Sequence, residues 1–593
     1  MNELIVGIDL GTTNSALAVV RDGGTQVVPI HGQPTLPSCV GLDPTGKLIV
    51  GQAARNQLVA APDSTVLSIK RRMGEDVRIK LGEREFSPEE ISSFILRELK
   101  VEGQKALGRP ISKAVITVPA FFNERQRKAT QVAGDLAGLE VVRIINEPTA
   151  AALAYGAGQT DDHTMLVYDL GGGTFDVSLV LVEQGVVEVK ASHGDTHLGG
   201  DDFDQLLVNH ALAEFQKQHS LDLRQVPTVL RRLKLVLEQA KCRLSDEPFA
   251  HVREEYLSGS HHLELEIPRE EYERMIQPYL DKTLTCVHQS LADARLTQKD
   301  LDKVMLVGGS TRTPLVQRLL RERLELEPRW EISPDLIVAM GAAIQGAIIA
   351  GESRHSILVD ITPHTFSTAV ADTSNFTPRL ICSPIIHRNT PLPASKSEVF
   401  FTLFDGQDLI HVTAYQGENP LPEDNALIGE FQVEGLSDVP AGNPVVIHFD
   451  LDLNGMLKVT ASEKQTNLAK SVTMDTRRAG RVVNLDEARR NIASLVAATE
   501  AAAPDGVDAV QDIPAKPVAA ASPNAEGPEQ LLVTAKDLRK RGEALLQKNI
   551  NPDDASEISA LLHDSATAIA NRDWAILSDK NNTLSDLIFY LED

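Results

Sequence analysis

The sequence contains few cysteines, no long apolar run and fewer basic than acidic residues. Four cysteines occur among its 593 residues, and they lie far apart, at Cys39, Cys242, Cys286 and Cys382. They form no Cys-x-x-Cys or Cys/His spacing, so the sequence predicts neither a zinc site nor a disulfide framework, and this usage suits a reducing cytoplasm. No uninterrupted apolar segment reaches the ~18 residues that a membrane span needs. The N-terminus lacks a basic segment before its apolar run, so no signal peptide is expected.

The charge balance is acidic. Aspartate and glutamate number 83 against 58 lysines and arginines, which gives a formal net charge of -25. This excess argues against a nucleic-acid backbone as the main partner, although one anionic ligand can still bind in a local pocket. The 42% hydrophobic and 24% charged residues are typical of a soluble globular protein. Since the length suits about three or four domains, we expect a cytoplasmic multidomain protein that contacts neither nucleic acid nor membrane.

The apolar periodicity changes along the chain. Residues 1 to about 350 alternate strand-like and helix-like segments, which predicts α/β architecture. From about Ile361 to Met474 apolar and polar residues alternate, and Asn454-Gly455 is a strong hairpin signal, so an antiparallel β domain is expected. Helices are predicted at residues 88–107, 123–137, 203–218, 228–244 and 485–502.

Two further segments concern domain organisation. The apolar segment Ile357-Leu358-Val359, followed by Asp360, is compatible either with the first strand of the β domain or with a connection between domains. Residues 503–528 are rich in alanine and proline, which predicts a flexible linker or loop. Amphipathic helices are predicted between 531 and 591, with a small bundle core formed by Leu538, Leu545, Ile558, Leu561 and Leu562.

One turn motif occurs twice in the α/β region. Asp9 to Ser15 (DLGTTNS) lies between two apolar runs, which predicts strand, tight turn, strand. A similar turn from Asp169 to Asp176 (DLGGGTFD) has the same surroundings. Either turn alone is equally compatible with an ordinary polar hairpin. The repetition favours a duplicated fold whose halves face each other across a cleft.

The two turns have the composition of a phosphate clamp. A triphosphate–metal complex needs hydrogen-bond donors on two sides and carboxylates that anchor the cation through water. Asp9 and Asp169 would supply the carboxylates, and Asp176 adds a third acid beside the second turn. Glycines let the backbone approach a ligand closely, so that N–H groups and hydroxyls can donate. The candidate phosphate-binding residues are Gly11, Thr12, Thr13, Asn14, Gly171, Gly172, Gly173 and Thr174.

A third glycine turn is a candidate site for the base and sugar. The apolar run 304–307 leads into Gly308, Gly309 and Ser310, and Pro314 suits the first turn of a following helix. The glycines would allow an adenosine to approach closely, and the Arg312 guanidinium would stack on the base. By itself this segment would be interpreted as an ordinary strand-to-helix turn. Together with the two phosphate turns, nucleotide binding is favoured.

Five segments resemble the signatures of the DnaK-type chaperones, the heat-shock protein 70 family, which share a nucleotide-binding core with sugar kinases and actin. These segments are residues 8–15, 118–123, 146–156, 169–176 and 307–312. The resemblance covers residues 1 to about 475 well and the C-terminal helices weakly. It implies a duplicated, actin-like α/β ATPase domain of two lobes (1–352), an interdomain linker (353–360), an antiparallel β-sandwich substrate-binding domain (361–480) and an α-helical lid (481–593).

The resemblance implies ATP and ADP as ligands, Mg²⁺ held mainly through water by Asp9, Asp169 and Asp176, and K⁺ as a further ion. The matching catalytic residues, which would stabilise charge on the transferred phosphoryl group and orient the attacking water, are Lys70, Glu147, Thr174 and Asp176. The further nucleotide-binding residues are Glu238, Lys241 and Ser245, which share one helical face, with Gly308, Gly309, Ser310, Arg312 and Asp335. Without the resemblance, Lys70 would be interpreted as an exposed lysine, and Glu238 with Lys241 as a surface ion pair.

The resemblance also implies coupling between domains. Residues that match a relay from the nucleotide to the linker and to a J-domain co-chaperone are Pro119, Arg127, Arg143, Leu358 and Asp360. In the β domain, Phe400, Ile410 and Val446 fall where apolar residues line a peptide cleft, with core packing as the alternative for each. The implied partners are unfolded or extended polypeptide clients and a J-domain co-chaperone, and the need for a nucleotide-exchange factor is open.

The sequence departs from the family pattern in places. Thr368 places a polar group where the cleft normally has an apolar one. The connection between Lys80 and Phe86 lacks a loop found in many bacterial members, as in the shorter, specialised HscC-type branch. The C-terminal helices also diverge, and the resemblance therefore says least about peptide preference and the lid.

Two other functions are compatible with the same nucleotide-binding core. A sugar or polyol kinase would have a sugar pocket inside the cleft, and an actin-like protein would form ATP-dependent filaments. Both leave residues 361–593 without a role. The prediction is therefore an ATPase that acts as a molecular chaperone.

Overall fold

The structure is a computed structural model, which describes residues 3–156, 161–330, 332–352, 357–372, 379–463, 469–470 and 484–501, with scattered positions between 535 and 584. The chain forms two compact units, Met1–Pro504 and Asp505–Asp593. The first part of the predicted linker (353–356) and the predicted Ala/Pro-rich segment (503–528) lie outside the described residues.

The α/β part of the first unit comprises strands β1–β19 and helices α1–α9. The strands are β1 (Ile5–Asp9), β2 (Asn14–Arg21), β3 (Gly24–Val27), β4 (Leu36–Pro37), β5 (Cys39–Leu42), β6 (Leu48–Val50), β7 (Thr65–Leu67), β8 (Ile79–Leu81), β9 (Arg84–Phe86), β10 (Lys113–Val118), β11 (Glu140–Asn146), β12 (His163–Leu170), β13 (Phe175–Glu183), β14 (Val186–Asp195), β15 (Phe249–Ser258), β16 (His261–Pro268), β17 (Lys303–Val307), β18 (Pro328–Arg329) and β19 (Ile357–Val359). The helices are α1 (Gln52–Asn56), α2 (Pro88–Leu107), α3 (Glu124–Leu136), α4 (Glu147–Gly156), α5 (Gly200–His219), α6 (Pro227–Asp246), α7 (Arg269–Asp293), α8 (Pro314–Leu324) and α9 (Ile337–Ile349).

Two similar mixed sheets form the framework of this part. The first has the order β11-β10-β1-β2-β3 and the second β18-β17-β12-β13-β14-β19. In each sheet the strand that leads into a predicted turn pairs in parallel with a later strand and antiparallel with the strand after the turn. Each Asp-Leu-Gly turn therefore lies at a corresponding edge of its sheet. The structure contains the duplicated strand-turn-strand arrangement that the sequence predicts.

Helix ends follow local capping chemistry. Helix α2 starts with Pro88 after the N-cap Ser87, whose hydroxyl accepts from Glu90 N while the Glu90 carboxylate accepts from Ser87 N. This reciprocal pair satisfies two otherwise free N–H groups. The helix ends at Gly108, whose positive φ of 62° suits glycine. The five predicted helices start and end within three residues of their predicted bounds.

Small residues bring the two sheets together through α4 and α9. Both helices are rich in alanine and glycine, and α4 packs on β12 and β13 while α9 packs on β1 and β2. A Cβ atom at Gly341 would collide with the backbone of Ala150, and one at Gly7 would collide with the backbone of α9. These glycines allow backbone-to-backbone contact, which larger side chains would prevent. The two halves therefore meet at a closely packed base.

The short strand β19 extends the second sheet of the α/β part. It pairs in parallel with β14, with Val187 opposite Leu358. The sequence leaves open whether this segment is the first strand of the β domain or a connection between domains. The pairing with β14 shows that it is not a strand of the β domain. The strand instead joins the α/β part at its edge.

The β part comprises two four-stranded sheets that pack face to face. Its strands are β20 (Phe366–Asp372), β21 (Arg379–Ile386), β22 (Ala394–Phe401), β23 (Leu409–Gln416), β24 (Ala426–Glu434), β25 (Pro444–Leu451), β26 (Leu457–Glu463) and β27 (Ala469–Lys470). The orders are β21-β20-β23-β24 and β22-β25-β26-β27. Alternate residues such as Val445, Ile447 and Phe449 form the core. The hairpin predicted at Asn454-Gly455 connects β25 and β26, and Gly455 has a positive φ of 75°.

One C-terminal helix belongs to the first unit. Helix α10 (Leu485–Ala501) buries Ala488, Ile492 and Leu495 in the core of the first lobe. In the second unit Leu538, Ile558 and Leu561 of the predicted bundle core are buried and Leu562 is partly buried, while Leu545 lies outside the described residues. No helix within the described residues is long and apolar enough to cross a membrane.

Candidate functional site

A cavity of about 550 Å³ lies between the two halves of the α/β part. It is open at the ends of β1, β12 and β17, where the three predicted turns meet. The predicted residues that line it are Asp9, Gly11, Thr12, Thr13, Asn14, Lys70, Glu147, Asp169, Gly171, Gly172, Thr174, Glu238, Lys241, Ser245, Gly308, Gly309, Ser310, Arg312 and Asp335. Gly173 and Asp176 are not among its lining residues. The fold thus brings together most of the residues that the sequence singled out.

The two Asp-Leu-Gly turns touch each other across the cleft. A Cβ atom at Gly172 would overlap the side chain of Thr13, and one at Gly173 would approach Thr12 Cγ2 to 2.7 Å. The second turn is also tied to the start of α5, because Gly200 N donates to Gly171 O (3.0 Å). Glycine is therefore required here for close approach, and both turns present backbone to the same space.

Buried carboxylates crowd the inner end of the cavity. Burial and the neighbouring Glu147 carboxylate raise the pKa values of Asp9 and Asp176, each to about 7, and they also raise the pKa of Asp169 well above its ordinary value. Burial alone would lower the pKa of Lys70, but the carboxylates of Glu147, Asp9 and Asp169 raise it above normal. Lys70 forms a buried ion pair with Glu147. Negative charge is therefore concentrated around one lysine.

This group of side chains fits a divalent cation. Asp176 Oδ1 accepts from Phe121 N (3.0 Å), whereas its buried Oδ2 has no hydrogen-bond partner. Asp9 accepts a single side-chain bond, from Thr117 (3.1 Å). Carboxylate oxygens are the ligands that Mg²⁺ prefers, often through its retained water. A cation near these acids would stabilise their ionised forms.

The outer end of the cavity has the features of a base and sugar site. Gly308, with φ of 81°, lies so close to Leu170 O that no other residue would fit. Ser310 Oγ donates to Gly171 O (2.8 Å), which joins the third turn to the second. Arg312 forms an ion pair with Asp335 (2.8 Å) on the same rim. One face of α6, with Glu238, Lys241 and Ser245, also lines the cavity.

Three residues of this region were missed from the sequence. Arg55 reaches across the cleft from α1 and forms an ion pair with Glu238 (2.7 Å). Asp204, on α5, pairs with Lys241 (2.8 Å). Trp330 is also among the residues that line the cavity. Their sequence positions carry no motif, so only the packing of distant elements could reveal them.

A chain of hydrogen bonds leads from the cavity to the end of β19. It starts where Asp176 accepts from Phe121 N. Buried Arg127 holds the same segment by donating to Ala120 O (2.9 Å), and it also donates to Asn146 Oδ1 (2.6 Å). Asn146 Nδ2 in turn donates to Asp360 Oδ2 (3.0 Å). Burial lowers the pKa of Arg127 and raises that of Asp360.

The other predicted coupling residues lie near this chain. Pro119 precedes the same segment and accepts from Phe122 N (3.2 Å). Leu358 is in β19, opposite Val187. Arg143 is half-buried in β11, and burial lowers its pKa against the opposing effect of Asp452 and Asp360.

The β part packs on the α/β part next to this chain. Leu457 N donates to Glu124 Oε1 (3.3 Å), and Ile144 N donates to Asn454 Oδ1 (3.1 Å). His364 lies 3.0 Å from Phe121 O, so one segment contacts both the cavity acid and the β part. Arg388 pairs with Asp293 (2.8 Å) on the second lobe. The two parts are thus joined by polar contacts at several points.

The three candidate peptide-binding residues do not share one face. Phe400 and Ile410 are partly buried against the core of the sandwich. Val446 is opposite Val399, which is exposed, whereas its neighbour Val445 is opposite Phe400 and buried. Since successive residues of a strand point to opposite faces, Val446 points away from the side shared by Phe400 and Val445. Thr368 is buried in β20.

Comparisons with known proteins point to one family. The profile of the family described as "Hsp70 protein" matches residues 5–80 and 75–511. The proteins named "Chaperone protein DnaK" from Thermotoga petrophila and Thermotoga maritima are each 43% identical over 488 residues, 80% of this chain and 81% of theirs. The protein of the same name from Thermosipho africanus is 43% identical over 487 residues, 80% of each chain.

Proposed function

Because the chain belongs to the Hsp70 family, we propose that it is an ATP-driven chaperone that binds and releases extended apolar segments of unfolded polypeptides. Members of this family are ATP-binding chaperones that combine an actin-like ATPase domain, a β-sandwich and a helical lid. Two duplicated sheets around a cavity, followed by a β-sandwich, agree with that plan.

The cavity would bind ATP and ADP with Mg²⁺. The cation, when bound, would neutralise charge on the phosphates. Asp9, Asp169 and Asp176 would hold it, mainly through water. Their pKa values are raised because burial and neighbouring carboxylates disfavour the ionised form, and a bound cation would offset this effect. The turn backbones and the hydroxyls of Thr12, Thr13 and Thr174 would donate to the phosphates. K⁺ as a further ion remains part of this proposal.

Hydrolysis would depend on Lys70 and Glu147. Lys70 is buried at the inner end of the cavity, where a cation would stabilise charge on the transferred phosphoryl group. Its ion pair with Glu147 holds both side chains in place. Glu147, which lines the cavity, and Asp176, whose carboxylate interacts with both Glu147 and Lys70, would orient the attacking water.

The observation that carries the chaperone proposal is the hydrogen-bonded path from Asp176 to Asp360. It connects the cavity to β19, which leads directly into the β part. Loss of a phosphate from the nucleotide would shift Asp176, and this shift would be transmitted to β19 through the hydrogen bonds of Arg127 and Asn146. Coupling of this kind is reciprocal, so peptide should change nucleotide turnover as nucleotide changes peptide release.

A J-domain protein would act on this same path. Arg143 is in β11, and Asp360, which directly follows β19, is close enough to raise the pKa of Arg143 against the effect of burial. Stimulated hydrolysis would release β19 and the β part, and peptide would then be held for longer. A nucleotide-exchange factor would be a further partner, and the Arg55–Glu238 pair across the cleft is a contact that exchange must break.

The test is ATP turnover by the full chain with and without an apolar unfolded peptide and a J-domain protein. We expect each to raise turnover, and a peptide of the same length whose apolar residues are replaced by serine to have no effect. If neither changes turnover while a small sugar or polyol is phosphorylated, the protein is a kinase and the proposal is wrong. ATP-dependent sedimentation of filaments would contradict it in favour of an actin-like protein.

A further inference from the structure

An indole side chain forms part of the outer wall of the nucleotide cavity. Trp330 is one of two tryptophans in the chain. It follows β18, which pairs in parallel with β17 through Val304 and Met305. Because the two strands are parallel, Trp330 lies beyond the end of β18 on the side where β17 also ends. In open α/β sheets ligands bind at this carboxyl edge.

Hydrogen bonding fixes which part of the indole is available. Trp330 Nε1 donates to Thr311 Oγ1 (3.2 Å), and the fully buried Thr311 donates to Gly308 O (2.6 Å). The only polar atom of the ring is thus engaged with the third glycine turn. The residue is nevertheless 40% exposed. What it presents to the cavity and its mouth is therefore the hydrocarbon surface of the ring.

The position of Trp330 within the cavity decides what this surface would contact. The phosphate turns and the acids occupy the inner end. Trp330 lines the cavity together with Arg312, Asp335 and Ser245, and its hydrogen bond to Thr311 joins it to the third glycine turn. A nucleotide whose phosphates lie at the inner turns would place its base here. The base is the part of a nucleotide with a flat apolar face.

We propose that Trp330 packs against the nucleobase and gives the cavity a preference for purine over pyrimidine nucleotides. This inference rests on the proposed nucleotide function and adds a specificity-determining residue to it. A purine offers more ring surface to the indole than a pyrimidine does. The hydrogen bond to Thr311 holds the indole against the same turn that approaches the sugar, so base and sugar would be held by one connected unit.

The effect should be about tenfold in affinity, since base–aromatic stacking at protein sites is typically of that size. It should be the same for ATP and ADP, because both carry the base, and absent for tripolyphosphate, which lacks it. This pattern differs from that of residues that hold the phosphates.

The first experiment uses the fluorescence of Trp330 itself. In a Trp574→Phe variant of the full chain, Trp330 is the remaining tryptophan. We expect ADP and adenosine to change its emission on saturation, and tripolyphosphate to leave it unchanged. ADP binding measured by calorimetry with unchanged emission would overturn the inference.

The second experiment measures affinity. We expect Trp330→Ala to weaken ADP and ATP binding about tenfold and to reduce the ATP-to-UTP preference by a smaller factor, because a pyrimidine also stacks, while Trp330→Phe, which keeps an aromatic ring, stays within about threefold. Tyr256→Ala is the matched control, because this tyrosine is 65% exposed and does not line the cavity. Unchanged ADP affinity in a folded Trp330→Ala variant would contradict the inference.

The outcomes separate this inference from the proposed function. If the unaltered protein binds no adenine nucleotide, the proposed function fails and the inference fails with it. If it binds ADP and the emission and affinities do not depend on Trp330, the inference alone fails. If the ATP-to-UTP preference falls together with affinity only in the alanine variant, the inference is confirmed.

Discussion

The buried acids at the cavity and one half-buried acid at the junction with the β part have different partners. Asp9 and Asp169 line the cavity and Asp176 lies outside its lining, but all three carboxylates interact with Lys70, which is already paired with Glu147. At the junction with the β part, Asp293 accepts from Arg388 and Asn389.

The difference in partners indicates a different role for the acids at each place. Buried charge without sufficient compensation costs free energy, so it is retained where a soluble ion or a reaction compensates it. An acid that pairs with a basic side chain of another segment, as Asp293 does with Arg388, forms a contact that can be made and broken as that segment moves. The cavity therefore suits a cation and phosphates, and the junction suits reversible packing of the β part.

The largest effect is expected at the lysine of the cavity. Lys70→Ala should lower single-turnover ATP hydrolysis about 10²- to 10³-fold while ATP binding is retained, because it removes a cation from the transferred phosphoryl group. Arg72→Ala is the control, since Arg72 is an exposed neighbour that pairs with Glu75. Lost binding with unaltered residual hydrolysis would remove Lys70 from the catalytic role.

The acids of the cavity should make cation binding depend on pH. Asp9 and Asp176, with pKa values of about 7, must lose protons to hold a hydrated cation. Mg²⁺ affinity should therefore fall about tenfold per pH unit below pH 7 for each proton displaced. Calorimetry with Mg²⁺ at pH 6, 7 and 8 measures this, and an affinity independent of pH would contradict it.

The same acids should make the stability of the folded protein depend on pH. Their pKa values in the folded protein lie above the ordinary 3.8, so the stabilisation they contribute is complete below that value and is lost as pH rises through 7. Without Mg²⁺, the unfolding temperature should fall from pH 5 to pH 8, and added Mg²⁺ should restore it more at pH 8 than at pH 6. Asp169→Asn should reduce the Mg²⁺ effect.

His364 should weaken the packing of the two parts as the pH falls, whereas the cavity acids stabilise the fold at low pH. Burial lowers the pKa of His364 from 6.5 to about 4 when the two parts are packed, with Arg127 and His193 adding to the effect and Glu418 opposing it. Its contribution to packing is therefore present above pH 6.5 and lost as pH falls towards 4. Between pH 7 and pH 5 the ratio of packed to separated forms should fall about twentyfold through this residue.

The measurement is energy transfer between dyes on the two parts, compared in the unaltered protein and in His364→Leu. The comparison is necessary because Glu124, whose pKa burial raises to about 8, contributes in the opposite sense in both proteins. A pH response that is identical in the two proteins would contradict the role of His364.

The smallest effect is expected at a partly exposed pair of the junction. Arg388→Ala removes the partner of Asp293 and should lower the packed-to-separated ratio about fivefold, equivalent to about 1 kcal/mol. Arg379→Ala is the control, since Arg379 pairs with Asp372 inside the β part. Equal energy transfer in both variants would show that the Asp293 contact does not hold the two parts together.

Much of the local structure could be predicted because its signals are local. The bounds of α2 follow from Ser87, Glu90 and Gly108, which act within one helix. The hairpin at Asn454-Gly455 follows from turn chemistry. The two Asp-Leu-Gly turns identified most of the cavity because each turn is contiguous in sequence.

Other features escaped prediction for a physical reason. The sequence does not show which residues share a face with Phe400, because neighbours such as Val445 and Val446 point to opposite faces and only the strand pairing tells them apart. The partners of Glu238 and Lys241 come from α1 and α5, which no spacing rule connects to α6. Trp330 has no motif around it, and its relation to the cavity depends on where β18 pairs.

The sequence by itself determined the repeated turns, the change from α/β to β periodicity and the family, because these depend on residue types at short separation. Tertiary structure decided which charges share the cavity, which ones meet at the junction, and that β19 joins the second sheet of the α/β part. Those outcomes depend on contacts between segments hundreds of residues apart, such as Asn146 with Asp360 and Asp293 with Arg388. Burial at such contacts sets both the pKa values and the partners, and neither can be read from composition or spacing.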